Sequence, residues 1–568
     1  QTVNLSASSA LRTFEKYGSV GTGVTAASVT QMRDIYYDQK YWTNQSNYGY
    51  YDKKNYYMQQ IEGYYTDSAA NPGFSTIFGS MFDSMDQLQE NAGDTSVRNE
   101  VISNAQKLTT YFNSTSERLS ELQGSVNDEI KTTVDTINSS AQKIGLLNKQ
   151  INVIEMQGGE ANELRDQRAL IIDDLSKIVS VEVNEDKVVN SNYPDMNTGA
   201  TKFSLKVNGQ TLVDNFNYRT MTTTARTEKY NQSDIDGLYD VAWADSGASI
   251  DFKSDALTGS LKALFELRDG NDNGNVTGKA AATTSTSITI TSPSVTNISD
   301  MNLPSSGMLT VNNTQYAYNS FTAVTDANEK IVSYTFQLDS AITNETQDRM
   351  NGMTVTVGDS VNYKGIPYYQ NQMNSFLRNF SRAFNDIQKS GEDLNGKQGT
   401  SFFVAKDNSL NQEDTFTDSQ TSTTLNGLSN CYYRMTANNV AINSNTVASP
   451  SLMATTNDID KGVDSADLVD NLLDLESKTK IFRNGGADDF LQCIYADITV
   501  DTQECSTFQT NYQSIQKTIQ QQRQSISGVD EDEEALDLVK YQNAYNLASK
   551  VISTMAEMYD QLILSTGV

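Results

Sequence analysis

At 568 residues the chain is too long for one hydrophobic core, and about two to four domains are expected. Its 71 acidic residues against 42 basic ones leave a formal charge of −29, which opposes nucleic acid and anionic membrane surfaces as partners, because neutralising phosphates requires an excess of Lys and Arg. Histidine is absent, so Ser-His-Asp and Cys-His nucleophile arrangements and imidazole metal sites are excluded; neither an enzyme nor a cofactor is expected.

No run approaches the roughly 18 to 20 consecutive apolar residues that cross a bilayer, and Gln1 opens a polar segment without a signal-peptide pattern. The three cysteines, Cys431, Cys493 and Cys505, are too few and odd in number for a disulfide framework. A Cys493–Cys505 bridge is open but unsupported, and the usual role of such a residue is that of a small buried hydrophobe.

Taken in chain order, the first feature is an aromatic run: Tyr36, Tyr37, Tyr41, Trp42, Tyr48, Tyr50, Tyr51, Tyr56, Tyr57, Tyr64 and Tyr65. Without an excess of basic residues beside it, packing in a core or between subunits outweighs base stacking or carbohydrate binding. Residues 73–193 are free of proline, and apolar residues recur from Val97 and Val101 through Phe112, Val126 and Ile137 to Ile151 in steps of three, four and seven, which predicts a long helix. Phe203, Leu205 and Val207 then alternate ahead of Asn208-Gly209, a hairpin signature.

Asp269 to Asn275 matches the first half of a calcium loop, but Ala280 stands where the twelfth-position Glu belongs; a polar turn is the better reading, and no metal is expected. Thr283 to Val357 is rich in Ser, Thr and Val in alternating runs and predicts a separate β domain. Proline disappears again over 451–568. There Leu538, Tyr541, Tyr545, Ala548, Ile552, Met555, Tyr559 and Leu562 alternate in steps of three and four, after an acidic cluster from Asp530 to Glu534 suited to a helix N-terminus. This is an a/d seam, the candidate assembly site of the chain. The fold class expected is multidomain α+β: a long α-helical bundle domain from both chain ends, β-rich middle domains and a C-terminal coiled-coil helix.

The segment from Arg523 through Gly528, Val529, Glu533 and Glu534 to Leu538, Tyr541, Gln542, Ala544, Tyr545, Lys550, Ile552 and Thr554 resembles the C-terminal signature of the flagellar hook-associated protein 1 family. Hook and rod proteins share its general form. Gly21, Gly23 and Val24 with Arg33 and Asp34, Leu164 to Arg168 leading into Leu175 and Val179, Gly259 to Asp269, Phe384-Asn385 with Phe402-Phe403, and Gly485-Gly486 resemble the same family in the same order. Residues 271–362 intervene where the family runs on directly, and Gln388 or a neighbour stands where the family usually has a His.

The resemblance implies a structural protein of the bacterial flagellum, a hook-filament junction subunit. It also implies hook protein and hook-associated protein 3 as partners, self-assembly into a helical tube, and secretion by type III export with a chaperone on the C-terminal helix. The family opens with an N-terminal helix that pairs with the C-terminal one, and Gln1 reads as following it, so the sequence is expected to be a core lacking that helix. The domains expected are 1–185 plus 455–525, a helical core; 186–270 plus 363–454, a β-rich middle; 271–362, an inserted β domain; and 526–568, the coiled-coil helix. The alternatives are the hook-associated protein 3 family, which is typically much shorter and lacks an equivalent middle, a surface adhesin or glycan-binding protein using the inserted β domain, and a hydrolase with a carboxylate pair.

Overall fold

The computed structural model describes residues 2–8, 11–12, 19–20, 23–30, 32–68, 72–189, 197–254, 256–281, 283–407, 412–416, 424–426, 431–528 and 531–566. Gly21, Thr22, Pro194, Val529 and Asp530 lie outside them. The chain opens with short antiparallel pairs, β1 (Thr2–Ala7) with β4 (Val24–Thr30) and β2 (Leu11–Arg12) with β3 (Ser19–Val20). Four helices follow: α1 (Ile35–Tyr65), α2 (Phe74–Glu90), α3 (Thr95–Met156) and α4 (Asn162–Ile178).

The proline-free periodic segment forms α3, 62 residues long and so about 93 Å from end to end. The Asp94 carboxylate accepts from Ser96 N at 2.7 Å and caps its start. Its end is set by Gly158, which at φ 83° takes up the left-handed turn a side chain resists. Val101, Leu108, Phe112, Leu119, Val126, Ile130, Ile137 and Ile144 are all buried, and Val97 and Leu147 are half-buried.

The middle of the chain turns to sheet. β5 (Val181–Val189), β6 (Asn197–Val207), β7 (Gln210–Asp214) and β8 (Asn217–Tyr218) form an antiparallel meander, in which Asn208 and Gly209, at φ 53° and 73°, make the predicted tight turn from β6 to β7. β9 (Met221–Ala225) pairs with β10 (Tyr239–Trp243), and the short α5 (Ser260–Asp269) runs entirely buried toward the next sheet.

That sheet comprises β11 (Thr277–Ala281), β12 (Ser287–Thr291), β13 (Gly307–Val311), β14 (Thr314–Thr325), β15 (Ile331–Leu338) and, after α6 (Asn344–Met350), β16 (Thr354–Val357). The order β13-β16-β11-β12-β15-β14, with β13 also paired to β14, closes it into a six-stranded antiparallel barrel. Ile288, Ile290, Leu309, Tyr334, Phe336 and Val355 form its apolar core, separate from that of the helical body. The Ser/Thr/Val alternation is thereby explained: Ile288, Ile290, Val311, Val355 and Val357 point in, while Thr289 and Thr335, whose hydroxyls lie 3.0 Å apart, are only half-buried.

The chain returns through α7 (Ile366–Ser390), then β17 (Phe403–Asp407), β18 (Gln412–Asp414), β19 (Thr424–Asn426), β20 (Val440–Ile442), α8 (Ser444–Ala448) and α9 (Val469–Ser477). β17 sits between β18 and β20, whereas β19 leaves this region and pairs with β14 of the barrel. Two long helices close the described chain, α10 (Asp489–Ser527) and α11 (Glu531–Thr566). Multidomain α+β, with long helices from both chain ends and a β-rich middle, is the architecture observed.

The two ends of the chain meet in the helical body. Phe74, Phe78, Phe112, Phe376, Phe380 and Phe490 form one aromatic cluster drawn from α2, α3, α7 and α10, with Phe376 stacked on Phe490 at 4.1 Å. Arg98 of α3 is buried and donates to the carbonyls of Ala92 and Met453, each at 2.6 Å, and to the Thr455 hydroxyl at 3.0 Å, tying α3 to residues 355 and 357 positions further along the chain.

Candidate assembly interface

The antiparallel pair of α1 and α10 carries the tyrosine-rich segment. Asn44 donates to Gln516, Asn55 to Gln509 at 2.9 Å, and Thr499 to Glu62 at 3.1 Å, so the partner number falls as the α1 number rises. Tyr51 stacks on Phe508 and Tyr512 with ring centroids 4.9 and 5.6 Å apart. Tyr57 and Tyr65 are buried, and the Tyr50 hydroxyl donates at 2.6 Å to Glu266 of α5, which also holds buried Lys54 at 2.6 Å. Tyr50 and Tyr57 are packing elements whose hydroxyls are engaged by Glu266 and Glu129, the buried Tyr65 hydroxyl has no hydrogen-bond partner among the described residues, and Tyr36 and Tyr56 are exposed. At the far end of the pair, Arg523 reaches Asp38 at 3.0 Å and Asp173 at 2.9 Å, binding α10 to α1 and α4 just before the chain passes to α11.

The eight seam residues all fall on α11. Its first turn carries Glu531, Asp532, Glu533 and Glu534, where the helix dipole favours anions. Leu538, Tyr541, Tyr545, Ala548, Ile552, Met555, Tyr559 and Leu562 are exposed, the large side chains from 49 % at Met555 to 73 % at Tyr545. The spacing by three and four places them along one side of the helix, facing solvent. Leu547, Val551 and Met558, outside the seam, are exposed as well.

The Asp269 to Asn275 segment does other work than holding a cation. Asp269 is fully buried, with Arg268 at 2.8 Å, Arg226 at 2.9 Å and Lys253 at 3.3 Å. Burial alone would raise its carboxyl, but Arg268, Arg226 and Lys253 outweigh that and hold it well below the usual carboxylate range. Asn271 donates to Asn231 at 3.0 Å and to the Asp359 carbonyl at 2.9 Å, so the loop pins the root of the barrel to the body. Among the described residues no group of three or more Cys, Asp or Glu side chains is placed to hold a metal ion.

A groove of about 1330 Å³ runs between the barrel and α7. Its acids are engaged from within: Glu329 pairs with Arg382, and Asp300 accepts from Ser375 at 3.0 Å and Asn297 at 2.8 Å. Behind it lies a residue that sequence periodicity could not single out. Arg378 is fully buried and donates to the carbonyls of Met435, Ser299, Met301 and Tyr433 and to the Gln232 side chain. Gln388 likewise both donates to and accepts from the Ala454 backbone, at 2.9 and 3.0 Å.

The cysteines are free: Cys431 and Cys505 are buried, and Cys493 is half-buried. Cys493 and Cys505 lie twelve residues apart on α10, about 18 Å along its axis, which rules out the bridge left open above. No helix among the described residues is long and apolar enough to cross a membrane.

Two family models match: the flagellar hook-associated protein FlgK helical domain over residues 58–288, and the flagellar basal body rod FlgEFG protein C-terminal segment over 520–565, which takes in nearly all of α11. Flagellar hook-associated protein 1 of Bacillus subtilis is 23 % identical over 97 % of this chain and 87 % of its own length. Over nearly its whole length the chain is similar to the flagellar hook-associated protein 1 family. The family's proteins from Salmonella typhimurium and Escherichia coli are 25 % and 26 % identical, each over 96 % of this chain and 90 % of its own length. Among solved structures, the flagellar hook junction protein FlgK from Burkholderia pseudomallei is similar at 16 % identity, with a TM-score of 0.47 over 86 % of this chain and all of that one.

Proposed function

We propose that this chain is a structural subunit of the bacterial flagellum, assembling at the junction between hook and filament. The observation that carries this reading is a conjunction on one helix: the segment matching the rod-type C-terminal family is also the one that holds an eight-residue a/d seam in solvent. An a/d stripe on a helix standing in water is apolar surface that a partner helix would cover. Repeated head-to-tail contact, with a rotation that does not close, builds a helical tube.

In this reading the residues from Leu538 to Leu562 make the assembly contact. Hook protein lies on one side and hook-associated protein 3 on the other; export is by the flagellar type III apparatus, with a chaperone covering α11 beforehand. The division into a helical core (1–185 plus 455–525), a middle region (186–270 plus 363–454), an outer domain (271–362) and the C-terminal helix (526–568) belongs to the same proposal. Deleting the gene tests it: bare hooks in electron micrographs and unassembled flagellin in the medium are expected, and normal filaments would overturn the junction role.

A further inference from the structure

The groove between the barrel and α7, at about 1330 Å³, is roomier than the roughly 300–1,000 Å³ of a small-molecule pocket, and so suits an extended molecule. Its walls are rich in side-chain amides: Asn297 and Asn328 from the barrel, Asn371, Gln372 and Asn379 from α7, and Asn484 from the loop ahead of α10. An amide both donates and accepts, which is also what a hydroxyl group does. Asn371 keeps a shielded side-chain oxygen with no hydrogen-bond partner among the described residues, an acceptor that the chain itself does not use.

Charge sets this groove apart from the rest of the surface. It is lined by six cations, Lys330, Arg378, Arg382, Lys389, Lys480 and Arg483, against four carboxylates, in a chain whose total is −29. The carboxylates are occupied within the protein. Asp326 accepts from the backbone N–H groups of Asn328 and Lys330, both at 2.9 Å, Asp386 lies 3.8 Å from Arg382, and Glu329 and Asp300 are engaged as described above. Among the cations, Lys389 donates to the Phe416 carbonyl at 2.8 Å and Arg483 pairs with Asp497 at 2.7 Å. Lys330, near the already engaged Asp326, and Lys480 form no ion pair or side-chain hydrogen bond among the described residues, and both are exposed, one from the barrel and one from the helical body.

A peptide fits these walls poorly. The barrel closes on itself and offers no free strand to extend, and Phe416, Cys431 and Phe482, the apolar groups that would have to make anchor pockets, are each only 3 % exposed. A nucleic acid demands a far larger cationic excess. We propose that the groove binds an acidic oligosaccharide, a chain of uronic acid units whose hydroxyls meet the amides and whose carboxylates meet Lys330 and Lys480. The site is separate from α11, and its occupation does not depend on the junction role.

Isothermal titration calorimetry of the purified full chain at physiological salt tests this with three probes: hexagalacturonate, the neutral cellohexaose and the peptide hexaglutamate. Saturable binding of hexagalacturonate is expected, with the other two at least about tenfold weaker. The double variant Lys330→Glu/Lys480→Glu is expected to weaken hexagalacturonate binding by about tenfold or more, because each reversal replaces an attraction by a repulsion. Lys143→Glu/Lys149→Glu, the same change of charge on the exposed side of α3 outside the groove, is expected to leave it within about twofold. All four lysines are exposed, so the fold is expected to be unchanged, which the urea midpoint of each variant verifies. No binding by the unaltered chain, unchanged binding by Lys330→Glu/Lys480→Glu, equal weakening by the α3 pair, or equal affinity for cellohexaose would each overturn the proposal. Equal affinity for hexaglutamate would overturn it in favour of an acidic peptide.

Discussion

Helices α3 and α11 have the same kind of sequence, an apolar stripe repeating every three or four residues, and opposite surroundings. On α3 the stripe lies against α2, α5, α7 and the β5–β8 sheet, and Phe112, Val126 and Ile130 are fully buried. On α11 the equivalent residues stand in water. An identical pattern therefore serves cohesion within the chain in one place and, in the reading proposed here, cohesion between chains in the other. Periodicity states that a face is to be covered and is silent on what covers it.

The sharpest way to break this comparison is to truncate each stripe. Phe112→Ala is expected to cost about 3–5 kcal/mol, the loss of a packed ring plus the cavity it leaves, seen as a lowered urea midpoint in Trp42 fluorescence. Next in size is Arg378→Leu, which strips donors from four backbone carbonyls between the barrel and the body and is expected to cost about 3 kcal/mol. Hydrogen exchange should then quicken around 299–301 and 433–435; unchanged exchange there would refute Arg378 as the tie.

A smaller effect is expected with pH. Asp269 has a folded pKa held below its unfolded value, so its stabilising contribution is complete above the unfolded value of about 4 and is lost as pH falls through the folded one. Urea midpoints measured from pH 5 down to pH 2 should fall, and Asp269→Asn should be less stable at pH 5 yet show a shallower fall. The smallest effect on stability belongs to the seam. Tyr545→Asp and Ile552→Asp are expected to move the urea midpoint by less than about 0.5 kcal/mol while leaving cells with bare hooks. A large loss of stability would mean that α11 packs on its own body.

Much of this was legible before any coordinates. Long helices announce themselves because apolar residues recur along α3 at steps of three, four and seven over more than fifty residues and no proline interrupts. The Asn208-Gly209 turn was readable because few residues other than Gly and Asn tolerate positive φ. Arg378 was not, since a lone Arg in an amphipathic helix reads as a solvated charge until the carbonyls of Ser299, Met301, Tyr433 and Met435 are brought around it.

What the amino-acid sequence determined by itself was local and periodic: where helices run, where strands alternate and turn, the absence of histidine chemistry, and a terminal helix with a heptad seam. Its likeness to the hook-associated family was also plain from motifs alone. Only the tertiary structure decided which apolar stripes the chain covers itself, that residues 277–357 close into a six-stranded barrel joined by β19 from beyond them, and that Asp269 belongs to a buried ionic latch rather than a cation site. The reason is physical: periodicity reports backbone geometry within a segment, whereas burial and ion pairing depend on which distant segments arrive beside it.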